Sequence, residues 1–294
     1  MNTPASASPR VLHVGCPMWA QRAWVGRHLP ADTVPGQELV PYSRLLDAVE
    51  GNTTFYASPP ALTIRKWASQ ARPGFRFVFK APRTITHERR LRDVTRPLAD
   101  FVDLLQPLGD LVGGITLQLP PSFGPGDLDA LDTVLRQAPG SWPWSVEVRH
   151  AQFFGGDGKT ALHDILRRHG AERVVLDTDS LFLRTPYTEA GREEWRTKPR
   201  LPLLAEPLTD HPIVRFIGSD HPEITDDGLR RWHEPLAHWI EEGRSPTFFV
   251  HTPDNTRSPE LARRLHTDVT ALVPGLTPLP EPMELGSPLQ PTLF

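Results

Sequence analysis

Two glutamates, a lysine and a histidine stand at or just beyond the ends of short β-forming runs: Glu50 in 48–52, Lys80 at the end of 76–80, Glu147 in 144–149, and His87 a few residues past Lys80. Carboxylates, an amine and an imidazole at one place can exchange protons with a substrate, and the amine can attack an electrophile or stabilise an anion. The expected roles are Glu50 or Glu147 as general base, Lys80 as nucleophile or electrostatic stabiliser, and His87 as a further catalytic group. Arg83, Arg149 and Arg215 would orient an anionic substrate. Asn52 and Gln118 offer amides, and Trp19 and Tyr56 offer flat faces for stacking. Glu50, Glu147, Asp177 and His251 are the oxygen and nitrogen donors that would hold a divalent metal, so the cofactor stays open at this stage. The competing reading is that these charges are salt bridges internal to a fold.

The elements that must position these residues alternate in type. Candidate strands cover 11–15, 48–52, 76–80, 114–119, 144–149, 173–177, 213–217 and 247–251. Helical periodicity falls between them at 38–47, 60–70, 97–107, 127–137, 160–169, 188–197, 226–242 and 258–271, with 188–197 the weakest. Eight such units predict a single TIM-like (β/α)8 barrel over 10–273, an architecture of about 250 residues. A doubly wound sheet is the alternative, but Gly15-Cys16-Pro17-Met18-Trp19 lacks the glycine spacing of a dinucleotide fold. In a barrel the catalytic groups lie where strands end, and period-two spacing puts Glu50 with Asn52, and Glu147 with Arg149, on one strand face. Residues 274–294 carry six prolines and read as an extended, mobile tail.

Several motifs fall short of their chemistry. Gly155–Thr160 ends like a phosphate loop, but Phe153 stands where the first glycine belongs. His233 and His238 have one residue too many between them for a zinc helix, and Pro235 intervenes. Cys16, the only cysteine, reads as a small buried apolar group and can form neither an intramolecular disulfide nor a thiolate zinc site. The run His87–Arg92 holds three arginines, suited to phosphates or to a solvated helix start.

Thirty-two basic against 35 acidic residues give a net charge of −3, which argues against strong non-specific nucleic-acid binding. No stretch has the apolar length of a membrane span, and the N-terminus lacks a signal-peptide core, so the chain reads as cytoplasmic. Only four of the cations are lysines (Lys66, Lys80, Lys159, Lys198), which makes a lysine at a strand end more informative.

The strings Val14–Trp19, Glu50-Gly51-Asn52-Thr53-Thr54-Phe55-Tyr56, Phe77–Arg83 with Thr86-His87, Gln118-Leu119-Pro120-Pro121 and Val146–His150 resemble, in this order, the YecE-like family of bacterial proteins. The resemblance covers roughly 10–265 and implies a TIM-like barrel; the family is a domain of unknown function, so no reaction comes with it. Two places depart from its pattern. Ile217 in Arg215-Phe216-Ile217-Gly218 stands where members often carry histidine, and His251-Thr252-Pro253-Asp254-Asn255 replaces paired asparagines.

Three functions are therefore expected to compete. The first is an enzyme acting at the barrel mouth on a small anionic, phosphate-bearing or nucleotide substrate. The second is a DNA-maintenance accessory. Gln290-Pro291-Thr292-Leu293-Phe294 resembles the Gln-x-x-Leu-Phe peptide that docks bacterial proteins on the DNA polymerase sliding clamp, with Gln290, Leu293 and Phe294 as the contact residues. The third is a module that binds the same ligand without turning it over.

Overall fold

Short runs of β-branched and aromatic residues form strands here because each buries both faces, one against the barrel interior and one against the helices outside. The computed structural model describes residues 10–286. It contains β1 (His13–Cys16), β2 (Ala48–Gly51), β3 (Arg76–Lys80), β4 (Val112–Gln118), β5 (Trp144–Glu147), β6 (Glu172–Arg173), β7 (Val175–Asp177), β8 (Ile213–Ile217) and β9 (Thr247–His251). All pairings are parallel, in the order β6-β5-β4-β3-β2-β1-β9-β8-β7. The result is a nearly closed α/β barrel.

The expected sixth strand, 173–177, is two strands. Glu172–Arg173 pairs with β5 and Val175–Asp177 pairs with β8, with Val174 at the break. This one segment thus joins the two ends of the sheet, and its change of partner is what closes the ring. The helix expected at 226–242 is likewise two, Pro222–Arg230 and His233–Glu241. They are separated at Trp232, whose ring turns inward and donates its indole N–H to Asp177 Oδ2 at 2.7 Å.

Alternation along the strands sorts the side chains. Val49, Phe77, Phe79, Val146, Phe216, Phe248 and Val250 point out, into the main core beneath the helices. Phe77 and Phe79 stack on one another and with Trp67 of the helix Ala61–Gln70. Ala48, Val78, Val174, Ile213 and Phe249 form a separate apolar layer inside the barrel. Moving two residues further along four of these strands reaches Glu50, Lys80, Arg215 and His251. The interior therefore changes from apolar to charged within one strand repeat.

The Pro-rich segment is expected to be extended and mobile; its described part, up to Gly286, is docked on the barrel. Arg10 donates to Pro274 O, Thr277 N donates to Arg10 O, Arg263 donates to Pro280 O and Ala31 N donates to Leu285 O. Gln290, Leu293 and Phe294 lie outside the described residues.

Candidate active site at the barrel mouth

The strand ends bring Glu50, Lys80, Gln118, Glu147, Arg149 and Arg215 together. Arg215 bridges the carboxylates: Nε lies 2.5 Å from Glu50 Oε1, Nη2 3.0 Å from Glu50 Oε2, and Nη1 2.7 Å from Glu147 Oε2. Arg149 donates from Nε and Nη2 to Glu147 Oε1 at 3.1 and 2.9 Å. Lys80 Nζ donates to Gln118 Oε1 at 2.8 Å and stands 3.6 Å from Glu50 and 3.9 Å from Glu147. Asn52 Nδ2 donates to Glu50 Oε2 at 2.8 Å and to Pro17 O at 2.9 Å, which ties β1 to β2 above the cluster. Three cations against two carboxylates leave one positive charge in a site where Glu50, Lys80, Glu147 and Arg215 are all buried.

Burial and pairing divide the protons unequally. Burial alone would raise both carboxyls, but Arg215 and then Lys80 outweigh it and hold Glu50 and Glu147 below the usual carboxylate range. The same carboxylates outweigh the burial of Arg215 and hold its proton more tightly. Lys80 goes the other way. Burial, helped by Arg215, pushes its ammonium down to about 8 against the opposing pull of Glu50 and Glu147. The group in this cluster whose proton affinity is brought toward neutral pH is the lysine.

At the rim, His87 sits edge-on to Phe55 with centroids 5.0 Å apart, and its Nδ1 meets Thr86 Oγ1 at 3.0 Å. Burial and then the nearby Arg149 guanidinium lower its proton affinity. Tyr56 is exposed beside Phe55. Arg83 is half exposed and pairs with Glu88 at 3.4 Å. Trp19 is not at the mouth; it packs edge-on against Trp67 and Phe77 in the layer outside the strands.

The four metal-ligand candidates are not assembled. Asp177 follows the inward Leu176, so the alternation turns it outward, where it accepts from Trp232 Nε1 and from Asp179 N. His251 approaches Glu194 instead, with Nε2 3.4 Å from Oε2. Glu50 and Glu147 are already occupied by the guanidiniums. Among the described residues no three histidine, cysteine or acidic side chains stand together as a metal site.

The discarded motifs behave as packing. Burial raises the Cys16 thiol far above its ordinary range, and its backbone N–H donates to the Tyr42 hydroxyl. Lys159 pairs with Glu206 at 2.8 Å at the start of the helix Gly156–Arg168. His233 and His238 pair separately with Asp268 and Glu242.

Sequence reasoning missed Glu194 and Lys198. Both come from the helix Glu189–Thr197 and the residue after it, and Lys198 Nζ lies 3.2 Å from Glu194 Oε2. The scarcity of lysine was the one available signal. Asp220, in the loop after β8, holds this helix in place: its Oδ2 accepts from Tyr187 N, Thr188 N and Thr188 Oγ1. Gly191 permits that approach, since a Cβ there would fall 2.4 Å from the same oxygen.

No helix among the described residues is long and apolar enough to cross a membrane. Residues 13–284 match the family model described as a protein of unknown function, DUF72. The chain is 35% identical over 285 residues to the UPF0759 protein YecE of Escherichia coli K12, spanning 97% of this chain and all of that protein. Among solved structures, a DUF72 family protein of Enterococcus faecalis V583 superposes with TM-score 0.67 at 13% identity, covering 94% of this chain and 100% of the other. One from Thermotoga maritima MSB8 gives TM-score 0.64 at 20% identity, covering 87% and 98%. These two show the fold alone, but with a model spanning nearly the whole chain and a full-length relative at 35% identity, the chain belongs to the DUF72 family.

Proposed function

We propose that the protein is an enzyme whose site is the C-terminal mouth of the barrel and whose substrate is a small phosphate-bearing anion, nucleotides included. What carries this reading is Lys80, a buried amine lowered to about 8 on the inner face of a strand end, beside two permanently ionised carboxylates. An amine so placed exchanges a proton at physiological pH or attacks an electrophilic centre. Arg149, with His87 and Arg83 further out, supplies the positive charge that meets an anion, and Glu50 and Glu147 set the field around the amine rather than taking the proton.

The opposing reading is an internal lock without chemistry, and what favours it is that every charge in the cluster has a partner. Labelling with trinitrobenzenesulfonate, an anionic amine reagent, separates the two, because only four lysines must be resolved by peptide mass spectrometry. The enzymatic reading expects Lys80 to react with half-maximal rate near pH 8 and to be protected by inorganic phosphate. A Lys80 that stays unmodified in the folded protein while Lys66 reacts leaves the lock. A further role attaches to Gln290–Phe294, which fits delivery of this activity to DNA through the sliding clamp.

A further inference from the structure

The wall of the mouth formed by β7, the helix Asp179–Phe182 after it, β8 and β9 differs from the charged wall on β2 to β5. Leu176, Leu181 and Ile217 make it apolar, with Phe182 and Leu201 packed against them. His251 stands directly beside Ile217, its register partner, at the end of β9. It faces inward, two residues beyond the inward Phe249, and so lies roughly 7 Å nearer the opening. Its backbone is fixed by the strand pairing and by Gly218 N, which donates to His251 O at 2.8 Å. Nε2 lies 3.4 Å from Glu194 Oε2, a buried oxygen with no hydrogen-bond partner among the described residues, and Lys198 stands behind that carboxylate. Nδ1 is buried and has no hydrogen-bond partner among the described residues. A buried polar atom without a partner calls for one, and at the edge of a candidate site a ligand atom can supply it.

We propose that the mouth is two-ended, with the substrate's phosphate at Arg149 and a hydroxyl of the same small molecule donating its proton to His251 Nδ1. Glu194 makes this polarity possible. A carboxylate facing Nε2 favours the tautomer that carries its proton there, which leaves the Nδ1 lone pair as an acceptor. Glu194 is thus a positioning residue, and Asp220 and Gly191 hold the helix that carries it. A molecule held at both ends would be a short hydroxylated phosphate, and the second contact selects it over a bare phosphate. This inference rests on the reading of the mouth given above and deepens it to a substrate class.

The test uses the intact chain and three probes: inorganic phosphate, n-propyl phosphate and hydroxypropyl phosphate, titrated by calorimetry. The expected result is binding of all three, with the hydroxylated ester tighter than the propyl ester by about tenfold. That preference disappears in His251→Phe, while the affinity for n-propyl phosphate changes by less than about twofold. Equal affinity for the two esters in the native chain overturns the hydroxyl end and leaves the phosphate end standing. Failure of inorganic phosphate to bind brings down the mouth reading and this inference with it. Should His251→Phe not fold, nitrogen-detected NMR of the native chain reads the ring directly. Nδ1 without a proton is expected, with the tautomer population shifting in Glu194→Gln; a proton on Nδ1 in the native chain overturns the proposal.

Discussion

Replacing Lys80 by methionine keeps the length of the side chain and removes the ammonium, and the structure fixes the sign of the result. Burial lowers Lys80 from 10.5 to about 8, so the folded chain holds this proton less tightly than the unfolded chain. At about 1.4 kcal/mol per pH unit, the charged amine costs the fold about 3 kcal/mol at pH 7. The variant loses the hydrogen bond to Gln118 Oε1, which gives back about 1 kcal/mol. The carboxylates keep Arg215 and Arg149. Lys80→Met is therefore expected to be more stable than the native chain by about 2 kcal/mol at pH 7. The pH dependence follows from the same numbers. A lowered lysine imposes its full penalty below about 8 and relieves it as pH rises toward 10.5, because the unfolded chain binds more protons across that window. Between pH 7 and pH 9 the native chain should recover about 1 kcal/mol relative to the variant, measured by chemical denaturation at both values. A variant less stable than the native chain at pH 7, by an amount unchanged at pH 9, would falsify the reasoning. Lys80 would then be a countercharge of ordinary proton affinity.

Glu147→Gln strands Arg149 beside a neutral amide, leaves Arg215 with Glu50 alone, and should cost about 3 kcal/mol at pH 7. Because pairing lowers this carboxyl, its contribution is present above the ordinary carboxylate range and lost as pH falls through the folded value, so the variant should converge on the native chain in acid; a constant gap down to pH 2 contradicts the pairing. Gly191→Ala must push the helix Glu189–Thr197 off Asp220, and a loss of about 1 to 3 kcal/mol should appear as faster hydrogen exchange confined to 187–198; unchanged exchange there refutes the close approach. Calorimetric titration into a bacterial sliding clamp should show micromolar binding by the full chain that is absent from a chain ending at Gly286. Equal behaviour of the two removes the clamp from the proposed function.

The barrel was legible because its signal is repeated in every unit: a short strand flanked by turn residues, then a helical period. The charged layer was legible for the same reason. Glu50 with Asn52 and Glu147 with Arg149 sit two apart, and that spacing alone puts each pair on one face. What escaped was set by tertiary partners. Whether Asp177 faces in or out depends on the parity of a segment that breaks at Val174 to change neighbours, and nothing local marks that break. The turn at Trp232 follows from its bond to Asp177, which is distant in sequence. Glu194 and Lys198 reach the mouth from the helix with the weakest apolar pattern, held by contacts to the β8 loop rather than by a buried stripe.

The register of β8 on β9 gives Ile217 a defined neighbour. In this chain the apolar side chain of Ile217 joins Leu176 and Leu181. The imidazole of His251 occurs on the residue paired with Ile217, displaced by one strand spacing, about 4.8 Å. A histidine on β8 would have stood two residues beyond Arg215 on the same strand face, between the guanidinium and the opening. On β9 it is set beside that path and falls within reach of Glu194, which gives the ring an orienting carboxylate. Ile217 and His251 are therefore neighbours in space, although 34 residues separate them in the chain, and they shape the same wall of the mouth.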